Sequence, residues 1–396
     1  MSNGGSTTIA SVEHSADAVI VTWADAHRSE FPLRWLRYEC VCEQCGESRS
    51  GIRFVTPIDA SKGIAAERCF IDEIGDLEIQ WSPVQHRSRY ERSWLRQHCL
   101  EKDSREARVH RPTTWSRELE SQLPRVSFDG FVNETATRCD AFEAIRDFGL
   151  VHVIEGPAET GIAERLSACI GAIEETNFGR VFDLKSVENA TSIGATAHPA
   201  SLHTDECYRN MPTGIKVIHC VKDSDPDTGY SLFADGFRIG ELLEQTSPDA
   251  FELLCWQPVT FNRRYEDAII VASAPIFSRD LDGRVVGFRF QDRSMAPLDV
   301  EPSEVGAVLD AISALMELIG EPENQLRLRL SPGEAVLFDN HRLLHGRTGF
   351  TGSRHLQLSS VNRDTFISEM RVLQRQLGRP GPYLQVASGA SCGVSP

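Results

Sequence analysis

The sequence predicts an α+β protein, mainly β with flanking helices, in which a small β domain precedes a larger jelly-roll core. Three observations carry this expectation. Short β-like runs recur along the chain, from AVIVTW and GIRFVT to TGIKVIHCV and RHLQLSSVN. Helical periodicity is confined to a few segments, with EVGAVLDAISALMELIG the clearest. A charged segment with two prolines, residues 101–127, separates two zones of different texture and reads as a connector.

In chain order, residues 1–16 read as a frayed N-terminal tail. Residues 17–100 form a small domain of short strands and polar turns that holds five of the eleven cysteines. Residues 128–384 form the large domain. It opens with CDAFEAIRDFGLVHVIE, a helix followed by a strand, and GIAERLSACIGAIEET continues as helix. Strands follow in TGIKVIHCV, YSLFADG, PVTFN, RVVGFRFQ, QLRLRLSPGEAVLFD and RHLQLSSVN. Many strands with few helices suggest a β-sandwich or jelly roll with helices packed outside. Residues 385–396 read as a second tail.

Composition narrows the function. A formal charge of −16 argues against a nucleic-acid partner, since nothing would neutralise phosphates over a broad surface. No stretch has the run of about 20 apolar residues that a bilayer span requires. The first residues lack a basic region followed by an apolar one, and the odd number of cysteines fits a reducing compartment, so a cytoplasmic protein is expected.

Two clusters carry chemistry. YECVCEQCGES supplies Cys40, Cys42 and Cys45, three sulfurs on one turn, and zinc wants four nitrogen or sulfur ligands in a tetrahedron. His86 is the favoured fourth ligand, with His98 and Cys99 as competitors; a closed set of four would be structural. The second cluster begins at SLHTDECYRNMP. In extended backbone, His203 and Asp205 point the same way and can face one ion. LFDNHRLLHGRTGF offers a third ligand in His341 or His345. Two imidazoles and a carboxylate form a facial triad that leaves positions open on iron(II). Arg354, nine residues past His345, can clamp a carboxylate with its planar fork.

The order of these motifs is that of the 2-oxoglutarate-dependent iron oxygenases, and over residues 18–375 the chain resembles the γ-butyrobetaine and trimethyllysine hydroxylase family. The resemblance rests on the cysteine array with His86-x3-Tyr90, on HTD, IHCVKD and SLFADGF, and on LSPGEAVLFDNHRLLHGRTGF followed by SRHLQ. It implies a double-stranded β-helix catalytic domain behind a small zinc domain, and a homodimer acting on a small molecule and O2. It further implies His203, Asp205 and His345 as iron ligands. Arg354 would hold the far carboxylate of 2-oxoglutarate, assisted by Ser231. The zinc set becomes Cys40, Cys42, Cys45 and His86.

The match breaks at the substrate. Family members that bind trimethylammonium compounds enclose the cation in aromatic faces. Here Glu206 and Ser360 stand where those relatives carry tyrosine, Ala195 replaces another aromatic, and Phe182 replaces a tryptophan. A different substrate is therefore expected, zwitterionic or anionic, with Glu206 available to an ammonium. Arg209, Arg263, Arg264, Arg289 and Arg293 are the candidates to hold a carboxylate. Desaturation on the same centre and a non-catalytic scaffold are the competing readings, and a zinc hydrolase is a third.

Overall fold

The computed structural model describes residues 6–47, 50–61, 63–185 and 196–379. Ala195 and the expected tail at 385–396 lie outside these residues. The chain divides into two compact units, Met1–His110 and Arg111–Pro396.

The N-terminal unit begins with an antiparallel meander, β1 (Ile9–His14), β2 (Ala18–Trp23) and β3 (Arg28–Pro32), followed by α1 (Leu33–Tyr38). Residues 9–14 are thus a strand and not the tail the sequence suggested. Only Ile9 of β1 is buried, so the segment carries almost no hydrophobic pattern and is held by pairing with β2. A short hairpin, β4 (Gly46–Glu47) and β5 (Ile52–Arg53), leads to a second meander of β6 (Ala65–Ile71), β7 (Leu77–Ser82) and β8 (His86–Tyr90). α2 (Arg92–Gln97) and α3 (Lys102–Ala107) close the unit. Alternation in β2 and β7 turns Val19, Val21, Leu77 and Ile79 into one core with Trp23 and Trp81. Each indole N–H is satisfied inside it: Trp23 donates to Ser29 at 2.8 Å and Trp81 to Ser88 at 2.9 Å.

The C-terminal unit starts inside the expected connector. Residues 101–127 contain α3, a 3₁₀ turn at Arg117–Gln122 and β9 (Arg125–Ser127), and Trp115 is buried with its indole donating to the Phe148 carbonyl at 2.6 Å. The prolines that suggested a linker sit at the bends between these pieces. α4 (Phe128–Asn133), α5 (Thr135–Phe148), β10 (Leu150–Ile154) and α6 (Ile162–Ala168) follow. α6 is half the length its sequence suggested, because the chain leaves the helix to lie along the sheet edge. There Ile173 bridges Val361 and the Glu174 N–H donates to the Ser360 carbonyl at 2.9 Å.

Next come β11 (Phe182–Lys185), β12 (Ala200–His203), β13 (Ile215–Lys222) and β14 (Ser231–Asp235). The helices α7 (Gly236–Thr246) and α8 (Pro248–Trp256) then lead to β15 (Val259–Arg264), β16 (Ile269–Ala274), β17 (Phe277–Arg279) and β18 (Val285–Phe288). The chain ends with α9 (Val305–Gly320), β19 (Leu326–Leu328), β20 (Ala335–Asp339), β21 (Leu343–Arg347), β22 (His355–Val361) and α10 (Arg363–Gln376). Two sheets form the centre: six strands in the order β11-β22-β13-β20-β10-β9, and four in the order β12-β21-β14-β19. One core lies between them, where Ile218, Val336, Phe338 and Leu356 of the larger sheet meet Phe233, Leu328 and Leu343 of the smaller. Phe142, Ile145, Leu166 and Phe366 of the helices cover the outer face of the larger sheet. The β strands therefore hold the site, and the helices hold the strands.

Candidate metal centre

β12 and β21 are antiparallel neighbours whose register sets His203 opposite His345, and the two rings lie 4.5 Å apart between centroids. Asp205 follows on the turn that leaves β12. Its backbone N–H donates to Asn340 Oδ1 at 2.7 Å, and Asn340 Nδ2 donates back to the Asp205 carbonyl at 3.0 Å and to the Thr213 carbonyl at 2.9 Å. One asparagine thus ties that turn to the residue just past β20. One ligand atom from each of His203, Asp205 and His345 falls within 4.8 Å of the other two. His341 takes no part: its ring is buried and its Nε2 meets the Pro212 carbonyl at 3.1 Å.

The electronic character of these groups calls for a cation. His203 Nδ1 donates to the Ser201 carbonyl at 2.7 Å, which fixes the tautomer and leaves Nε2 with a bare lone pair. That nitrogen faces Asp205 Oδ1 at 3.5 Å, and His345 Nε2 faces Asp205 Oδ2 at 3.7 Å, both wider than a direct hydrogen bond. Burial holds the His345 imidazole neutral by pushing its pKa down to about 3. Burial alone would raise the Asp205 carboxyl, but the ammonium of Lys216, 2.9 Å from Oδ2, keeps it well below the usual carboxylate range. Two imidazole nitrogens and an ionised carboxylate converging on one point fit a divalent metal.

The same cavity, about 300 Å³, also receives Arg354 and Ser231. Arg354 is buried, its Nη2 lies 3.5 Å from Ser231 Oγ, and its Nε finds no hydrogen-bond partner among the described residues. A buried guanidinium in that condition awaits an anion.

Of the substrate candidates, Phe182, Glu206 and Ser360 line the cavity, as do Arg263 and Arg293. Arg289 does not. Its guanidinium donates to the carbonyls of Cys207 (3.3 Å), Arg209 (3.1 Å) and Asn210 (3.2 Å), so it clamps the loop behind the ligand pair. Arg264 is exposed outside the cavity, and Arg209 is engaged by Glu206 at 2.9 Å. Sequence reasoning missed Phe178, which lines the cavity with its ring 5.0 Å from Phe182, and Lys216. The signal for Lys216 was present: a lysine between Ile215 and Val217, in the apolar start of β13, has to be buried against an acid.

In the N-terminal unit, Cys40, Cys42, Cys45 and His86 form a second group. The three sulfurs lie 3.4, 3.7 and 3.4 Å from His86 Nε2. Zinc bonds of about 2.0–2.3 Å in a tetrahedron place ligand atoms roughly 3.5 Å apart, so the spacing fits. Burial keeps His86 neutral, and Arg37 donates to Cys45 Sγ at 3.2 Å. The rival ligands are engaged elsewhere: His98 Nδ1 meets the Trp94 carbonyl at 2.7 Å, and Cys99 receives the Ser29 hydroxyl at 3.0 Å.

Residues 113–359 match the family model described as taurine catabolism dioxygenase TauD, TfdA family. The chain belongs to that family. This TauD-family chain also matches, over residues 11–66, the model described as gamma-butyrobetaine hydroxylase-like, N-terminal. The gamma-butyrobetaine dioxygenase of Pseudomonas sp. (strain AK-1) is 33% identical over 373 residues, covering 93% of this chain and 96% of its own. Trimethyllysine dioxygenase of Meyerozyma guilliermondii is 28% identical over 387 residues, covering 92% and 96%. Human gamma-butyrobetaine dioxygenase is 26% identical over 373 residues, covering 90% and 94%. This TauD-family protein is accordingly a 2-oxoglutarate-dependent dioxygenase that uses Fe(II) and 2-oxoglutarate, and its Cys₃His cluster fits structural zinc. Among the described residues no helix is long and apolar enough to cross a membrane.

Proposed function

We propose that the two-sheet core is a double-stranded β-helix whose His203, Asp205 and His345 hold Fe(II), with Arg354 and Ser231 receiving the far carboxylate of 2-oxoglutarate. The N-terminal zinc set of Cys40, Cys42, Cys45 and His86 is structural. The convergence of the three ligands in one cavity with a buried, unsatisfied arginine carries this reading. When bound, the metal, 2-oxoglutarate and O2 together supply oxidation of a C–H bond, with succinate and CO2 released. The chain's own part is to aim Nε2 of His203 at the ion through the Nδ1 bond to the Ser201 carbonyl, keep His345 neutral, fix the co-substrate by one end and exclude water.

The substrate we propose is a small zwitterionic or anionic molecule, hydroxylated at an unactivated carbon, and not γ-butyrobetaine. A quaternary ammonium ion is held by aromatic faces within about 6 Å. Glu206 and Ser360 stand at two of the cage positions; Phe178 and Phe182, packed on each other at 5.0 Å, form one aromatic wall, and the other rings lining the cavity are Tyr208 and Phe350, the latter beside Arg354. Glu206 is already matched by Arg209 at 2.9 Å and lies in the field of Lys216, so it is not available to a substrate ammonium. Arg263 and Arg293 give the cavity positive charge; among the described residues the carboxylate paired with Arg293 is that of its neighbour Asp292, 3.9 Å from Nε. Succinate release with Fe(II) and 2-oxoglutarate should be stimulated by small acids and lost in His203→Ala. Stimulation by γ-butyrobetaine equal to that by any acid would reject the substrate proposal.

A further inference from the structure

We propose that Lys216 is a positioning residue of the metal centre, holding one oxygen of Asp205 so that the carboxylate offers the ion only the other. The inference rests on the ligand set proposed above and concerns a residue that none of its motifs contains.

Lys216 stands on β13 of the six-stranded sheet, whereas both histidines come from the four-stranded sheet. It is 7% exposed, and its neighbours Ile215 and Val217 are fully buried. An ammonium at such a site is costly unless it is paired. The pairing is specific: Nζ lies 2.9 Å from Asp205 Oδ2. Across the ladder Lys216 is opposite Ser360, whose short side chain leaves the lysine stem room to reach toward the turn. Asp205 Oδ1 faces His203 Nε2 at 3.5 Å and is the oxygen without a close cationic partner.

The number of carboxylate oxygens on the ion decides whether the site can work. An octahedral ion with three one-atom protein ligands keeps three positions open, two for a chelating oxoacid and one for a gas. A carboxylate bound through both oxygens would take one of them. Engaging Oδ2 with an ammonium prevents that without adding a ligand. It also fixes the carboxylate plane before the ion arrives, which lowers the ordering cost of binding.

Co(II) added anaerobically to the full chain, zinc site loaded, reads this directly, because its visible spectrum and X-ray absorption report coordination number. Lys216→Met removes the charge and keeps the stem; Lys216→Arg restores a cation. We expect Lys216→Met to change the Co(II) spectrum and add a second carboxylate oxygen in X-ray absorption, while Lys216→Arg returns the wild-type spectrum and a single carboxylate oxygen. An unchanged spectrum with a single carboxylate oxygen in a folded Lys216→Met protein overturns the proposal. If that variant does not fold, X-ray absorption on the wild type decides instead: one carboxylate oxygen supports the proposal, two refute it. His203→Ala keeps the two readings apart, since undiminished Co(II) binding there would reject the ligand set itself.

Discussion

Arg354 shows what a single residue can be asked to do. Its guanidinium is buried, rests 5.7 Å from the Phe350 ring centroid, and among the described residues reaches only the Ser231 hydroxyl, at 3.5 Å. Charge-assisted bonds to a carboxylate contribute about 1.5–3 kcal/mol each, so Arg354→Ala should raise the KM for 2-oxoglutarate by roughly tenfold to a hundredfold. Steady-state kinetics with 2-oxoglutarate varied tests this, and a KM within twofold of wild type would remove Arg354 from the role. At this scale the sequence was most legible where residue type is tied to one chemistry. The cysteine turn could be named from three sulfurs within six residues, whereas His203 and Asp205 could be named only through the order that follows them, His345 and then Arg354. The arginines were less legible, because a guanidinium serves a loop, a carboxylate or the solvent equally well. Arg289 proved to be a loop clamp, and only burial and partners separate it from Arg263 and Arg293.

Elements matter here through register. His203 meets His345 only because β12 and β21 pair with those residues opposite, and Gly346 is the hinge of that contact. A Cβ at Gly346 would sit 2.6 Å from the Ala200 carbonyl and 3.1 Å from the Leu202 N, both backbone atoms that cannot swing aside. Gly346→Ala should therefore push β12 away from β21, costing about 1–3 kcal/mol, and should weaken Co(II) binding although no ligand is changed. Chemical denaturation and Co(II) titration measure the two effects; a stable variant with normal affinity would show that the strands tolerate the displacement. Many strands could be read from short apolar or alternating runs, but β12 and β21 were not among them, and no strand's partner could be read. β12 and β21 are more than 130 residues apart, and nothing local specifies such a pairing. Among the described helices α1–α4, α7, α8 and α10 escaped notice, the last for a different reason. α10 has the right period and an N-cap, Asn362, whose side chain accepts from the N–H of Asp364 at 2.8 Å. It follows β22 so closely that it reads as the end of a strand region.

At the scale of the molecule, the C-terminal unit folds by placing imidazoles out of water. Burial lowers the pKa of His341 to about 4 and of His345 to about 3, and it lowers those of His152 and His219 as well. The sign of the consequence follows from proton counting. An unfolded histidine takes up its proton near pH 6.5, whereas folded His341 refuses one until about pH 4, so below pH 6.5 the unfolded chain binds more protons. Stability is fully present above pH 6.5 and is lost as pH falls from there toward 4 for His341 and toward 3 for His345. Each such group contributes a slope of up to about 1.4 kcal/mol per pH unit, and two together up to about 3. The urea midpoint of metal-free protein should therefore be flat between pH 7.5 and 7 and fall steadily from pH 6.5 to 5. His341→Gln, which can still donate toward the Pro212 carbonyl, should lower that slope by about one proton's worth. A midpoint unchanged between pH 7 and 5 would mean that these rings are solvated in the folded chain. The same result would undermine the neutral His345 on which metal binding depends, because a charged imidazole cannot donate a lone pair to an ion.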